Sequence, residues 1–113
     1  MMRLFLAATA VSLCLASAAS AAGGPTFVIR HMVGDYAKWR PGYDAHKAVR
    51  TSAGLTNCRV QSATDNVNDV LIICDMADVA KAKAFASSKN LAEVMAKAGV
   101  VGKPEFYILT AGR

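Results

Sequence analysis

Apolar and polar positions change their period repeatedly along this chain, and each change marks an element. "TFVIRHM" (26–32) is rich in β-branched and apolar residues and is closed by Gly34, the pattern of a strand. From Asp35 the period lengthens. Tyr36, Trp39, Tyr43, His46 and Arg50 fall within an arc of roughly 80° at about 100° per residue, one face of a helix. Asp35 supplies its N-cap, and Gly54 its stop after about Ala53. Pro41 lies inside this helix and is expected either to kink it or to start it afresh.

"LTNCRVQSAT" (55–64) alternates, "DVLIICDM" (69–76) is nearly continuous in apolar residues, and "DNVND" separates them, which predicts a β-hairpin. Asp78 then caps an alanine-rich helix with Val79, Ala82, Phe85, Leu91, Val94, Met95 and Ala98 roughly on one face. Ser87 and Ser88 are where that helix would divide, and Gly99 ends it. Pro104 opens a last strand over 105–110, since proline suits a strand's first residue.

The order β-α-β-β-α-β is that of an α+β, ferredoxin-like fold: a four-stranded antiparallel sheet with both helices on one face. The strand at 69–76 is apolar on both faces, so both should be covered, and helices cover only one. An exposed apolar sheet face of this size marks an interface, and the expectation is a homodimer in which two sheets pack together about a two-fold axis.

The first residues belong to a different grammar. Arg3, the apolar run Leu4–Leu15 and the small-residue end "ASAASAA" read as a secretory signal peptide over 1–21, cleaved after Ala21 with Ala22 as the second choice. The run is short of the about 20 residues that span a bilayer, so no stable membrane anchor is expected. Leu13 precedes Cys14 where a lipidation box would have a small residue. Residues 22–113 then form a single domain with one core, placed in the periplasm or outside the cell.

The net charge of +5 includes Arg3, and the remaining charges are scattered. With no basic stripe interleaved with stacking aromatics, nucleic acid is not an expected partner. Cys58 and Cys74 would both meet an oxidising compartment. If the hairpin turns about Asn66, Cys58 lies opposite Cys74, on the face that Val60 and Ile72 share. That register predicts a cross-strand disulfide worth about 3 kcal/mol in a chain-entropy treatment. The alternative is two small buried hydrophobes.

Trp39 and Tyr43 read first as core aromatics on the sheet-facing side of their helix. His46 and Arg50 fit that role less well, because a buried imidazole or guanidinium needs a partner and Asp44 lies on the other side of the helix. Either they sit at the rim, or they point into a pocket between helix and sheet and add a titratable group and a fixed cation to its aromatic walls. His31 shares the parity of Phe27 and Ile29 and could reach that cavity or the dimer interface. Ser62, Asp75 and Tyr107 are weaker candidates. Only His31 and His46 are available as imidazole ligands and nothing groups them, so no metal site is expected. No spacing suggests a nucleophilic triad, and no glycine-rich phosphate loop is present.

"VIRHMVGDYAKWRPGYDAH", "KAKAFASSKNLAEVMAKAGVVG" and "PEFYIL" together resemble the small single-domain proteins of the antibiotic-biosynthesis-monooxygenase-like family, in the dimeric α+β barrel superfamily. The resemblance covers nearly all of the chain after the leader. It implies a homodimer with an apolar cavity in each subunit and an apolar or aromatic small-molecule ligand touched by Trp39, Tyr43, His46 and Arg50. His31, by its strand parity, is a further candidate for the same ligand, and no cofactor is expected. Family members include cofactor-free oxygenases and haem-degrading enzymes. The haem-degrading branch typically has a histidine on the second helix, and here no histidine follows His46, which argues against haem.

Two readings follow. In one, the chain is an exported binding protein without chemistry. In the other, it is a cofactor-independent monooxygenase-like enzyme in which His46 accepts a proton from an acidic aromatic substrate and Arg50 steadies the anion. A structural dimer with a filled core is the bland third.

Overall fold

The computed structural model describes residues 24–112. The expected leader and its cleavage site lie outside them. The elements run β1 (Thr26–Val33), α1 (Tyr36–Ala45), α2 (Lys47–Ser52), β2 (Leu55–Ala63), β3 (Asn66–Met76), α3 (Val79–Ala86), α4 (Lys89–Ala98) and β4 (Val100–Leu109). The strands form one antiparallel sheet in the order β2-β3-β1-β4, so the chain has the α+β, ferredoxin-like arrangement that its periodicity predicts. No helix among the described residues is long and apolar enough to cross a membrane.

Alternation sorts the two faces of the sheet. Phe27, Ile29, His31 and Val33 of β1, with Val70, Ile72, Cys74 and Met76 of β3, are buried on the helix side. They form one core with Trp39, Leu55, Ala82, Phe85 and Leu91. Phe27 meets Phe85 edge-on at 5.9 Å between ring centres. On the opposite face Val28 pairs with Ile73 on one side and Tyr107 on the other. Val28 and Ile73 are half-buried, while Tyr107 and Leu109 are nearly half exposed. Arg30 and Asp69 cross this face with a two-pronged pair at 2.8 and 3.1 Å.

The helices begin and end where capping chemistry directs. The side chains of Asp35, Asp78 and Ser88 accept from the amides of Lys38, Lys81 and Leu91 respectively, satisfying donors of each first turn. Ser87 and Ser88 do divide the second helical segment in two. Gly54 and Gly99 take φ of +78° and +92°, the left-handed geometry that ends a helix without a Cβ clash.

Four local expectations are corrected. The first helix does not break at Pro41, which α1 accommodates in its interior; it breaks at His46, whose amide turns back to Asp44 and Tyr43 and whose carbonyl starts α2. The hairpin turn is Thr64–Asp65 rather than "DNVND": β3 already begins at Asn66, and residues 67–69 bulge out of the ladder. β4 begins at Val100 rather than 105, because residues 102–104 bulge opposite His31 with Gly102 at φ +74°. A bulge on an edge strand asks no amide of Pro104, so proline does not mark the strand's start. Val79, expected on the core face, is 41% exposed at the first position of α3, next to the Asp78 cap.

Cys58 and Cys74 are joined by a disulfide with Cα atoms 4.0 Å apart. The central hairpin register, Val60 opposite Ile72, matches the alignment expected from the sequence. A bulge sets Asn57 and Cys58 together against Cys74, and Asn57 takes φ +55° there.

Candidate functional site

The split of the first helix and the packing of α4 over the sheet leave a cavity between helices and sheet. His31, Trp39, Tyr43, His46 and Arg50 all line it, closed by Ile29, Ile72 and Phe85 below and by Leu91, Val94, Met95 and Ala98 of α4 above. Its volume is about 30 Å³, room for roughly two waters at about 10–15 Å³ each. A planar ring enters only if a wall moves. Met95, unbranched and half-buried, is the most compliant part of that wall.

Three elements supply the polar groups. β1 alternation turns His31 inward, where it is 4% exposed and meets Trp39 edge-on at 5.5 Å. Its Nδ1 is the one buried side-chain nitrogen or oxygen among the described residues with no hydrogen-bond partner. Burial holds the His31 pKa below its ordinary value, so the ring is neutral at pH 7.

One turn apart on α1, Trp39 and Tyr43 stack at 5.2 Å with their planes 27° apart. Across the other side of Tyr43, the Arg50 guanidinium carbon lies 3.8 Å from the ring centre, and its Nη1 donates to the Tyr43 carbonyl at 2.8 Å. Arg50 is 6% exposed and has no carboxylate partner among the described residues. Asp44 is committed to Arg40 at 2.9 Å. Desolvation pulls the Arg50 pKa down and raises that of Tyr43, outweighing the attraction between the two.

His46 sits in the joint between α1 and α2, with its ring 6.0 Å from that of Phe85. Its Nε2 is 2.8 Å from Asn90 Oδ1 in the first turn of α4. Gly42 permits this approach of the two helices, since a Cβ there would stand 3.0 Å from that of Ala98. An oxygen that accepts from Nε2–H leaves Nδ1 as the nitrogen able to take a proton.

The structure thus gathers all five sequence candidates around one cavity, including the two histidines that nothing in the sequence groups. It does not bring in Ser62, Asp75 or Tyr107. Ser62 donates to the Val67 carbonyl, Asp75 accepts from Asn57, and Tyr107 donates to Glu105 on the open face. Asn90 escaped the sequence reading, although its spacing of four before Val94 and eight before Ala98 puts it on the cavity stripe of α4. No cluster of three or more metal-ligating side chains occurs among the described residues.

No family model matches the sequence, and no curated protein matches it at a significant level. Solved structures do match the fold. The cofactor-independent oxygenase SnoaB of Streptomyces nogalater superposes with a TM-score of 0.62 at 19% identity, over 81% of this chain and 96% of its own. A protein of Bordetella bronchiseptica assigned to the antibiotic biosynthesis monooxygenases superposes with a TM-score of 0.63 at 13% identity, over 80% and 99%. This chain has the antibiotic biosynthesis monooxygenase fold. A Streptomyces coelicolor monooxygenase, ActVA-Orf6, solved with nanaomycin D, matches at TM-score 0.51 and 16% identity, over 80% and 88%. At these identities the likeness concerns architecture, and the chemistry must be argued from the side chains.

Proposed function

We propose that this chain is an exported, dimeric α+β barrel protein that binds an apolar or aromatic small molecule in the cavity between helices and sheet. The observation that carries the reading is the convergence of Trp39, Tyr43, His31, His46 and Arg50 on one narrow space. Aromatic walls with a few polar groups are the usual composition of a ligand site. The narrowness of the cavity makes binding a process in which the α4 wall, Met95 foremost, gives way. Export is supported by the Cys58–Cys74 disulfide, which an oxidising compartment preserves. The dimer is supported by the open sheet face around Val28, Ile73 and Tyr107.

The second reading, a cofactor-independent monooxygenase acting on an aromatic or acidic small molecule, is favoured by the His46–Asn90 bond. A base whose far nitrogen is held by a third group has a defined tautomer and orientation. In this reading His46 accepts a proton from the acidic aromatic substrate and Arg50 steadies the anion. Dioxygen then adds to the carbanion as a hydroperoxide, and loss of water leaves one oxygen atom in a carbonyl, the substrate itself supplying the electrons.

Native mass spectrometry of the protein recovered from the periplasm without reductant tests the main reading. A dimer carrying an extra small-molecule mass is the expected result, and a bare monomer overturns it. The ligand so identified separates the two readings: the binder retains affinity in His46→Ala but loses it in Trp39→Ala, whereas the enzyme loses turnover in His46→Ala with the dimer intact.

A further inference from the structure

Behind the Tyr43–Arg50 stack, on the outer side of the cavity, lies a separate cleft between the α1–α2 joint and β2. It is lined by Arg40, Lys47, Arg50, Thr51 and Asn57 among others, and its volume of about 590 Å³ far exceeds the about 30 Å³ of the cavity. Small-molecule sites occupy about 300–1,000 Å³, so the cleft admits a ligand in the conformation seen.

Its charge is unbalanced. Three cations and one carboxylate, Asp44, line it, and that carboxylate is taken by Arg40. Lys47 makes no ion pair among the described residues, and it stands one helical turn from Arg50. Arg50 is the unusual member. A guanidinium has five N–H donors, and among the described residues only Nη1 has a hydrogen-bond partner, the Tyr43 carbonyl. Arg50 itself lines the cleft, so its remaining donors are carried on a side chain at the cleft wall. A side chain 6% exposed, charged and without a counter-ion is costly to keep unless an anion completes it.

We infer that this cleft is an anion-binding site for the oxyanion group, carboxylate or phosphate, of a small molecule, with Arg50 as its floor and Lys47 as its rim. The planar fork of Arg50 suits two-oxygen recognition, while Lys47 adds a point charge that draws the anion in. The bulge at Asn57 and Cys58 shapes the facing wall, carrying Thr56 and Asn57 into the cleft. The cleft shares Tyr43 and Arg50 with the cavity, while Arg40, Lys47, Thr51 and Asn57 line the cleft alone.

The test is calorimetric titration of the exported chain with inorganic phosphate, acetate and benzoate separately, at low ionic strength. At least one is expected to bind with a Kd of about 1 mM or tighter. Phosphate binding more tightly than acetate assigns the site to phosphate groups, and the reverse assigns it to carboxylates; either supports the site. Lys47→Ala, an exposed position, is expected to weaken binding about fivefold, the size of one partly exposed charge pair. Lys47→Glu is expected to abolish it by placing a carboxylate one turn before Arg50. Arg50→Gln should also abolish binding, and a circular dichroism spectrum unchanged from wild type shows that the variant folds. No binding by any of the three anions overturns the proposal. So does binding that survives Lys47→Glu, and if that binding is instead lost in Trp39→Ala, the anion belongs in the cavity.

Discussion

His46 Nε2 lies 2.8 Å from Asn90 Oδ1, a bond that ties the joint between α1 and α2 to the first turn of α4 across 44 residues of sequence. It holds together the two walls of the cavity at the point where α1 ends. Asn90→Ala is therefore expected to lower stability by about 1 kcal/mol, the net worth of one such bond. Nitrogen-15 spectra of the imidazole should show the proton on Nε2 in the wild type and a mixture of tautomers in the variant. An unchanged tautomer would mean that something other than Asn90 orients His46.

His31 makes stability depend on acidity. Burial lowers its pKa below the ordinary 6.5, so below that pH the unfolded chain binds a proton that the folded chain does not. Its contribution is thus fully retained above pH 6.5 and is lost as the pH falls, until His31 itself becomes protonated in the fold. Asp69, held low by Arg30, acts in the same direction but only below 3.8. Urea midpoints measured between about pH 7.5 and 5 should fall more steeply for wild type than for His31→Leu. Parallel slopes would show that His31 titrates normally in the folded protein.

Denatured but unreduced protein lacking residues 1–21 should offer no titratable thiol, and two after reduction. The bond closes a sequence separation of 16, and its loss should cost about 3 kcal/mol in urea unfolding. The Cys58→Ala, Cys74→Ala double variant should match the reduced protein within the error of the extrapolation.

Ile73 lies in the middle of the open sheet face, paired with Val28 of β1 and Arg59 of β2. In the proposed dimer, glutamate there would bury a charge between two sheets, whereas in a monomer the position remains partly accessible and the cost is smaller. Sedimentation velocity should find Ile73→Glu monomeric and wild type dimeric. A dimer that survives the substitution must use some other surface.

The two periods, 2 in the strands and 3.6 in the helices, are local properties of the backbone. They were enough to give the four strands and the two helical segments in order, the helix caps at Asp35 and Asp78 and the stops at Gly54 and Gly99. The same parity put His31 with Phe27 and Ile29, and Cys58 with Cys74. What parity could not locate were the irregularities. The bulges at 57–58, 67–69 and 102–104 depend on how neighbouring strands align, so Pro104 looked like a strand start and Asn66 like a loop. The break at His46 escaped for a similar reason: Pro41 is the stronger local signal, yet the helix tolerates it.

For the site, the sequence by itself determined that Trp39 and Tyr43 share one face of α1, because a fixed angle per residue decides that. Past the break at His46 the angle no longer carries, and the place of Arg50 is set by how α2 packs. Only the tertiary structure decided that His31 stands across a cavity from them and that Asn90 holds His46. It also decided that Arg50 separates a narrow apolar cavity from a wide cationic cleft. Those relations join β1, α2 and α4, segments far apart in the chain, and a distance between such segments is set by how the core packs between them.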